Sequence, residues 1–137
     1  MKNVTRLVLI LSLLIATAGF LAGCESAQQS SLDEDMVREY ADVATETCLR
    51  GLSNHDLDGY TQHANDEFKA AVTQDMLDAT AAQIEKQLGA YQSIEFLRAE
   101  EQEDYVIVHY RATYARGEVG VRMVFDQDNL IAGQWFE

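Results

Sequence analysis

Basic residues are scarce in this chain: 10 Lys and Arg stand against 23 Asp and Glu in 137 residues, a formal net charge of −13. Phosphate backbones and anionic headgroups repel such a charge, and no Lys/Arg cluster offsets it locally, so nucleic acid is excluded as a partner. Cations and basic proteins are favoured electrostatically, although an acidic surface also serves solubility alone. Catalytic motifs are equally sparse. There is no Gly-x-Ser-x-Gly nucleophile turn and no phosphate-cradling glycine loop. His55 and His63 do not fall at HExxH spacing. Asp33-Glu34-Asp35 and Asp56-Leu57-Asp58 lack the glycine and distal glutamate of a calcium loop. The sequence therefore offers no cofactor site and no metal site. No internal repeat is present, and the one long apolar run, Leu7 to Ala22, is shorter than the ~20 residues of a spanning helix.

That run follows Lys2 and Arg6 and reads as the h-region of an export signal, the alternative being an uncleaved anchor or a buried helix. It closes on Leu21-Ala22-Gly23-Cys24, which resembles a bacterial lipobox. The resemblance implies that residues 1–23 are removed and that the Cys24 thiol carries diacylglycerol. The domain is then expected outside the cytoplasm, lipid-anchored at the outer face of the plasma membrane or in the periplasm. Acyl chains contributing ~0.8 kcal/mol per buried methylene would hold it there without a transmembrane helix. Glu25 is not the aspartate that retains some enteric lipoproteins, and the leaflet stays open. Losing Lys2 and Arg6 leaves 8 basic residues against 23 acids, a formal −15. With Cys24 lipidated, Cys48 has no intramolecular disulfide partner, and its apolar helical surroundings suit a small core thiol.

Residues 24–32 are small, polar and aperiodic, a tether whose coil spans about 15 Å. Residues 33–137 form one domain. Val37, Tyr40, Ala41, Ala44, Cys48, Leu49 and Leu52 recur at helical spacing and predict an amphipathic helix from Asp33 to Leu52. Asp56 starts a short second helix with Leu57, Tyr60 and Ala64, and Phe68 beyond it joins the core. Thr73 caps a third, whose buried stripe is Met76, Leu77, Ala81, Ile84 and Leu88 before Gly89. After Gly89 the period changes to two. Strands are predicted over Gln92 to Glu100, Tyr105 to Ala115, Glu118 to Asp126 and Leu130 to Phe136. Val106, Val108, Tyr110, Ala112 and Tyr114 share one face; Ile107, His109, Arg111 and Thr113 share the other. The fold class is α+β: N-terminal helices packed on a curved antiparallel sheet.

Leu49 to Asp56, Tyr91 to Leu97, Gly117 to Arg122 and Ala132 to Phe136 together resemble an uncharacterised domain family. Its members are often prokaryotic lipoproteins, and some are fused ahead of α/β-hydrolases. That family is similar to the nuclear transport factor 2-like superfamily, which implies helices closing a curved sheet into a cone with a pocket inside. The superfamily includes isomerases, dehydratases, binding modules and assembly modules, so fold alone assigns no activity. Gln134 departs from the apolar residue expected there. It either places a polar group in the cone or faces water at an edge.

A small pocket enzyme of the isomerase or dehydratase type needs a carboxylate or histidine aimed into the cone. The inward strand positions supply mainly aliphatics, Tyr110, Tyr114, Met123 and Phe125. His109 lies on the other face, and His63 near Tyr60 is either a pocket-mouth residue or a solvated one. The candidate ligand pocket is Tyr60, His63, Tyr110, Tyr114 and Gln134; no catalytic residue is assigned. Trp135 and Phe136 could form an aromatic edge suited to dimerisation, and the face with Tyr105, Ile107, Arg111 and Arg122 is the better interface. The expected function is a noncatalytic, membrane-tethered module that binds a small apolar ligand or a protein, with a homodimer as one partner. The alternatives are the pocket enzyme or an envelope assembly or stress accessory.

Overall fold

The computed structural model describes residues 32–137, so the export signal, Cys24 and residues 24–31 of the tether lie outside the described residues. Helix α1 (Glu34–Ser53) begins where Asp33 Oδ1 accepts hydrogen bonds from the amides of Asp35 and Met36, at 3.1 and 3.3 Å. Acidic first-turn residues complement the positive end of the helix dipole. Its buried stripe is Val37, Ala41, Ala44, Cys48, Leu49 and Leu52, each 4% exposed or less. Helix α2 (Leu57–Thr61) crosses α1 at Gly51, where a Cβ would overlap the backbone nitrogen of Tyr60. Only glycine permits that approach.

Two helical expectations need correcting. A further short helix, α3 (Asp66–Ala71), stands between the second and third predicted ones, started by Asn65, whose side chain accepts from Phe68 N at 2.9 Å. In α4 (Gln74–Leu88) Met76 is 55% exposed and does not belong to the buried stripe. Of the neighbours Met76 and Leu77, it is Leu77, 2% exposed, that packs into the core, while Met76, turned about 100° from it, lies on the solvent side. The stripe runs instead through Leu77, Ala81, Ile84 and Leu88. Gly89 ends α4 at φ +81°.

Strands β1 (Tyr91–Gln102), β2 (Tyr105–Tyr114), β3 (Gly117–Phe125) and β4 (Ile131–Phe136) form one antiparallel sheet in chain order. The meander follows from two tight turns and the Asp126–Leu130 loop, where Asp126 Oδ1 accepts from the amides of Asp128 and Leu130, both at 3.0 Å. β1 is longer than expected because two register shifts, between Tyr91 and Ser93 and between Phe96 and Arg98, interrupt its alternation. Those shifts, with one between β3 and β4, bend the sheet towards the helices. Its inner face carries Val108, Tyr110, Ala112 and Tyr114 of β2, Val121, Met123 and Phe125 of β3, and Ile131 of β4, all buried. The helices cover this face, and the core lies between the two layers.

Candidate functional site

The inner end near α2 brings two expected residues together. Tyr60 sits on α2 and Gln134 on β4 opposite Met123, which fixes Gln134 on the inner face rather than towards water. The Tyr60 hydroxyl donates to Gln134 Oε1 at 2.9 Å. Burial, with a smaller contribution from Cys48, pushes the Tyr60 phenol above its ordinary range, so it stays a neutral donor. Gln134 Nε2 is buried with no hydrogen-bond acceptor. His63 lies not on α2 but in the turn after it, where its carbonyl accepts from Ile131 N at 2.8 Å.

The other two tyrosines are engaged elsewhere. Tyr110 is fully buried and donates to Asp42 Oδ1 on α1 at 2.9 Å. Burial first, and then the Asp42 carboxylate, raise its pKa, so this phenol also holds its proton. Tyr114 packs edge-on against Tyr91, with ring centroids 5.6 Å apart, and burial pushes its pKa up to about 12. Tyr110, Tyr114, Met123 and Phe125 therefore fill the space between the sheet and the helices as packing residues.

Asp42 belongs to a second region that the sequence reading passed over. A groove of about 400 Å³ between α1 and β1 is lined by Arg38, Asp42, Glu46, Ile94, Glu95 and Phe96. Arg38 Nε pairs with Asp42 at 3.2 Å, and its guanidinium lies 5.1 Å over the Phe96 ring. Glu46 accepts from Arg50 at 2.6 Å, and Glu95 pairs with Arg111 at 2.8 Å. Every carboxylate in the groove already has a cationic partner within the chain. The Arg38–Asp42 and Glu46–Arg50 spacing of four was the visible signal; the link to Tyr110, 68 residues away, was not.

The outer face of the sheet differs from both. Arg98, Arg111 and Arg122 alternate there with Glu95, Glu100, Glu118 and Glu137 in a net of ion pairs. His109 lies between Glu100 and Glu137, at 3.3 and 3.5 Å. Desolvation opposes ionisation of Glu100, yet hydrogen bonds from His109 and Arg98 outweigh it and hold its pKa below the ordinary value. At one end, Gln102, Glu103, Tyr105, Ile107, Arg122, Val124 and Trp135 line an open groove of about 300 Å³. Tyr105 and Trp135 are 45% and 46% exposed. The Trp135 ring lies where a Cβ on Gly133 would stand, and the Arg122 guanidinium is 4.8 Å from its centroid. The expected interface residues Tyr105, Ile107, Arg111 and Arg122 thus share one face. Among the described residues, no group of three or more His, Cys, Asp or Glu could hold a metal ion.

The profile of a family described as "Protein of unknown function (DUF3887)" matches residues 45–133. A solved NMR structure of a protein from Ruminococcus gnavus ATCC 29149 is similar in fold, with a TM-score of 0.54 and 18% identity. That likeness covers 76% of this chain and 90% of the other. No curated protein matches the chain.

Proposed function

We propose, for a chain that belongs to the DUF3887 family of proteins of unknown function, a noncatalytic protein-interaction module that works through the outer face of its sheet. The observation that supports it most is the pairing of a filled interior with an open, aromatic-bearing outer face. Tyr110 and Phe125 are fully buried inside, whereas Tyr105 and Trp135 flank Arg122 outside. Exposed aromatics beside arginine are the composition that protein contacts favour. The Arg and Glu residues of this face nearly balance, in a chain whose total is −13. A partner need not be strongly basic to approach here, as it would elsewhere on the surface.

In this reading the lipobox supplies the address: lipid on Cys24 holds the domain outside the cytoplasm, on a nuclear transport factor 2-like cone. Among the described residues no helix is long and apolar enough to cross a membrane. A photo-crosslinker at Tyr105, with one at Lys86 on α4 as control, tests the proposal in intact cells. The expected result is a protein adduct from Tyr105 that disappears with Arg122→Glu. Adducts from Lys86 alone, or none, would sink the face; a Cys24 peptide that carries no lipid mass would sink the anchor.

A second reading, binding of a small apolar ligand, has one specific observation in its favour. Gln134 Nε2 is a buried donor lacking an acceptor beside the Tyr60 hydroxyl, and a ligand carbonyl would satisfy it. Native mass spectrometry of protein from its own source reads this directly as a retained mass that Gln134→Leu abolishes.

A further inference from the structure

The two edges of the sheet are treated differently. Along β1 runs α1, whose ends cap the strand: Glu34 Oε1 accepts from Ala99 N at 3.4 Å, and Ser53 Oγ from Tyr91 N at 3.5 Å. Between them Arg38 stacks over Phe96 and Arg50 over Tyr91. β1 also carries Glu95, Arg98, Glu100 and Glu101 and is twice shifted in register. Charges, irregularities and cover are the usual means by which an edge avoids pairing with another chain. β4 has no charge at all. Ile131-Ala132-Gly133-Gln134-Trp135-Phe136 is uncharged in a chain with 24% charged residues. Among the described residues, backbone hydrogen bonds reach it from outside only at Ile131, whose N donates to His63 O at 2.8 Å and whose O accepts from Asn65 N at 2.9 Å.

The phase of the remaining edge follows from one bond. Glu137 N donates to Gly120 O at 2.9 Å, so Glu137 points its backbone at β3. Antiparallel pairing alternates, and Trp135, opposite Arg122, and Gly133, opposite Val124, therefore also bond to β3. Gln134 and Phe136 turn their N–H and C=O groups the other way, onto the open edge.

We propose that this edge pairs with β4 of a second copy of the chain, antiparallel about a two-fold axis at Trp135. The register is self-complementary. Gln134 stands opposite the partner subunit's Phe136, with reciprocal N–H to C=O bonds, and the same pair repeats across the axis. Trp135 then faces its own counterpart as a non-hydrogen-bonded pair, with Cα atoms ~4.5 Å apart, the close spacing at which aromatic pairs interact. A second copy fits for two reasons. The uncharged strand keeps like charges from standing opposite one another: each Glu137, held by Arg122 of its own chain, faces the partner subunit's Gly133, and more distant charges are screened beyond ~8 Å at physiological salt. Because β1 is already covered, the pairing closes at a dimer and cannot extend into a filament. The outer-face function is not a premise of this pairing.

The test uses the full chain in mild detergent. Trp135 is the only tryptophan, so an exciton couplet between indoles in far-UV circular dichroism can arise only between copies. The expected result is a concentration-dependent dimer by sedimentation equilibrium, with a couplet that grows with its population. Amides of Gln134 and Phe136 should exchange slowly only when dimer is present, whereas the Trp135 amide stays protected at every dilution. Gln134→Pro removes an outward N–H without touching the ladder to β3, and should weaken the dimer by ~tenfold or more and erase the couplet. Unreactive Cys48 in that variant certifies the fold. A chain that stays monomeric, or a dimer with no couplet and freely exchanging Gln134 and Phe136 amides, would overturn the proposal; the latter outcome points to contact through the outer face.

Discussion

The two faces of one sheet, read off the same four strands, obey different physics. On β2, Val108, Tyr110 and Ala112 are fully buried while on the other side His109 lies beside the Glu137 carboxylate and Arg111 makes ion pairs. Alternation along a strand puts each set on its own face, so a single backbone segment serves both the core and the surface. The inner face converts sequence into stability, at roughly 25 cal/mol per Å² of apolar area removed from water. The outer face converts little, because its ion pairs are solvent-exposed and such pairs contribute about 0–1 kcal/mol each. A charged and aromatic surface that contributes little to stability is free to serve recognition.

That contrast is breakable by substitution. Phe125→Ala removes a fully buried ring that also stacks edge-on against Tyr40 at 5.3 Å. It should cost about 3–5 kcal/mol, read as a lower urea midpoint at unchanged slope. A loss within ~1 kcal/mol would mean that the interior is far more yielding than its packing implies.

Alkaline pH sharpens the same contrast without mutation. Burial raises the pKa of Tyr60, Tyr110 and Tyr114, the last to about 12, above the ordinary value of about 10. These phenols keep their protons in the folded chain at a pH where the unfolded chain releases them. Their contribution is thus fully present below pH ~10 and is lost as pH rises towards the folded values. Stability should decline above pH ~10, and phenolate absorbance from these rings should appear together with unfolding. Their smooth ionisation in a chain that remains folded would contradict the closed interior.

The smallest effect belongs outside. Trp135→Ala should change stability by no more than ~0.5 kcal/mol, since the ring is 46% exposed and rests on Gly133 and Arg122 at the surface. Thermal melts of the two proteins, run at a dilution where the chain is monomeric, should nearly coincide. A cost comparable to Phe125→Ala would place Trp135 in the core and remove the distinction between the faces.

Much of this was visible along the chain. The α1 stripe from Val37 to Leu52 and the alternation of β2 and β3 are periodic signals strong enough to place each residue on its face. Capping chemistry at Thr73 and Gly89 marks the ends of α4, and the acidic pair Asp33-Glu34 marks the start of α1 to within a residue. β1 was indistinct because bulges break the period that identifies a strand. The short α3 was missed, since six residues carry too few turns to display a stripe. Apolarity alone does not decide between Met76 and Leu77, neighbours on α4 of which only Leu77 is buried. Of the expected pocket, Tyr60 and Gln134 do meet, whereas Tyr110 and Tyr114 spend their rings on packing and His63 falls in a turn.

The sequence by itself determined the elements, the faces and the charge, because each depends on residues a few positions apart or on simple sums. It also named the polar groups that would need partners in a core. Only the tertiary structure decided which partners they found: Gln134 for Tyr60, 74 residues away, and Asp42 for Tyr110, 68 away. It alone left β4 open while α1 covered β1. Such choices depend on where distant segments come to rest, and the energy that sets them is the burial of the whole core, which no local pattern contains.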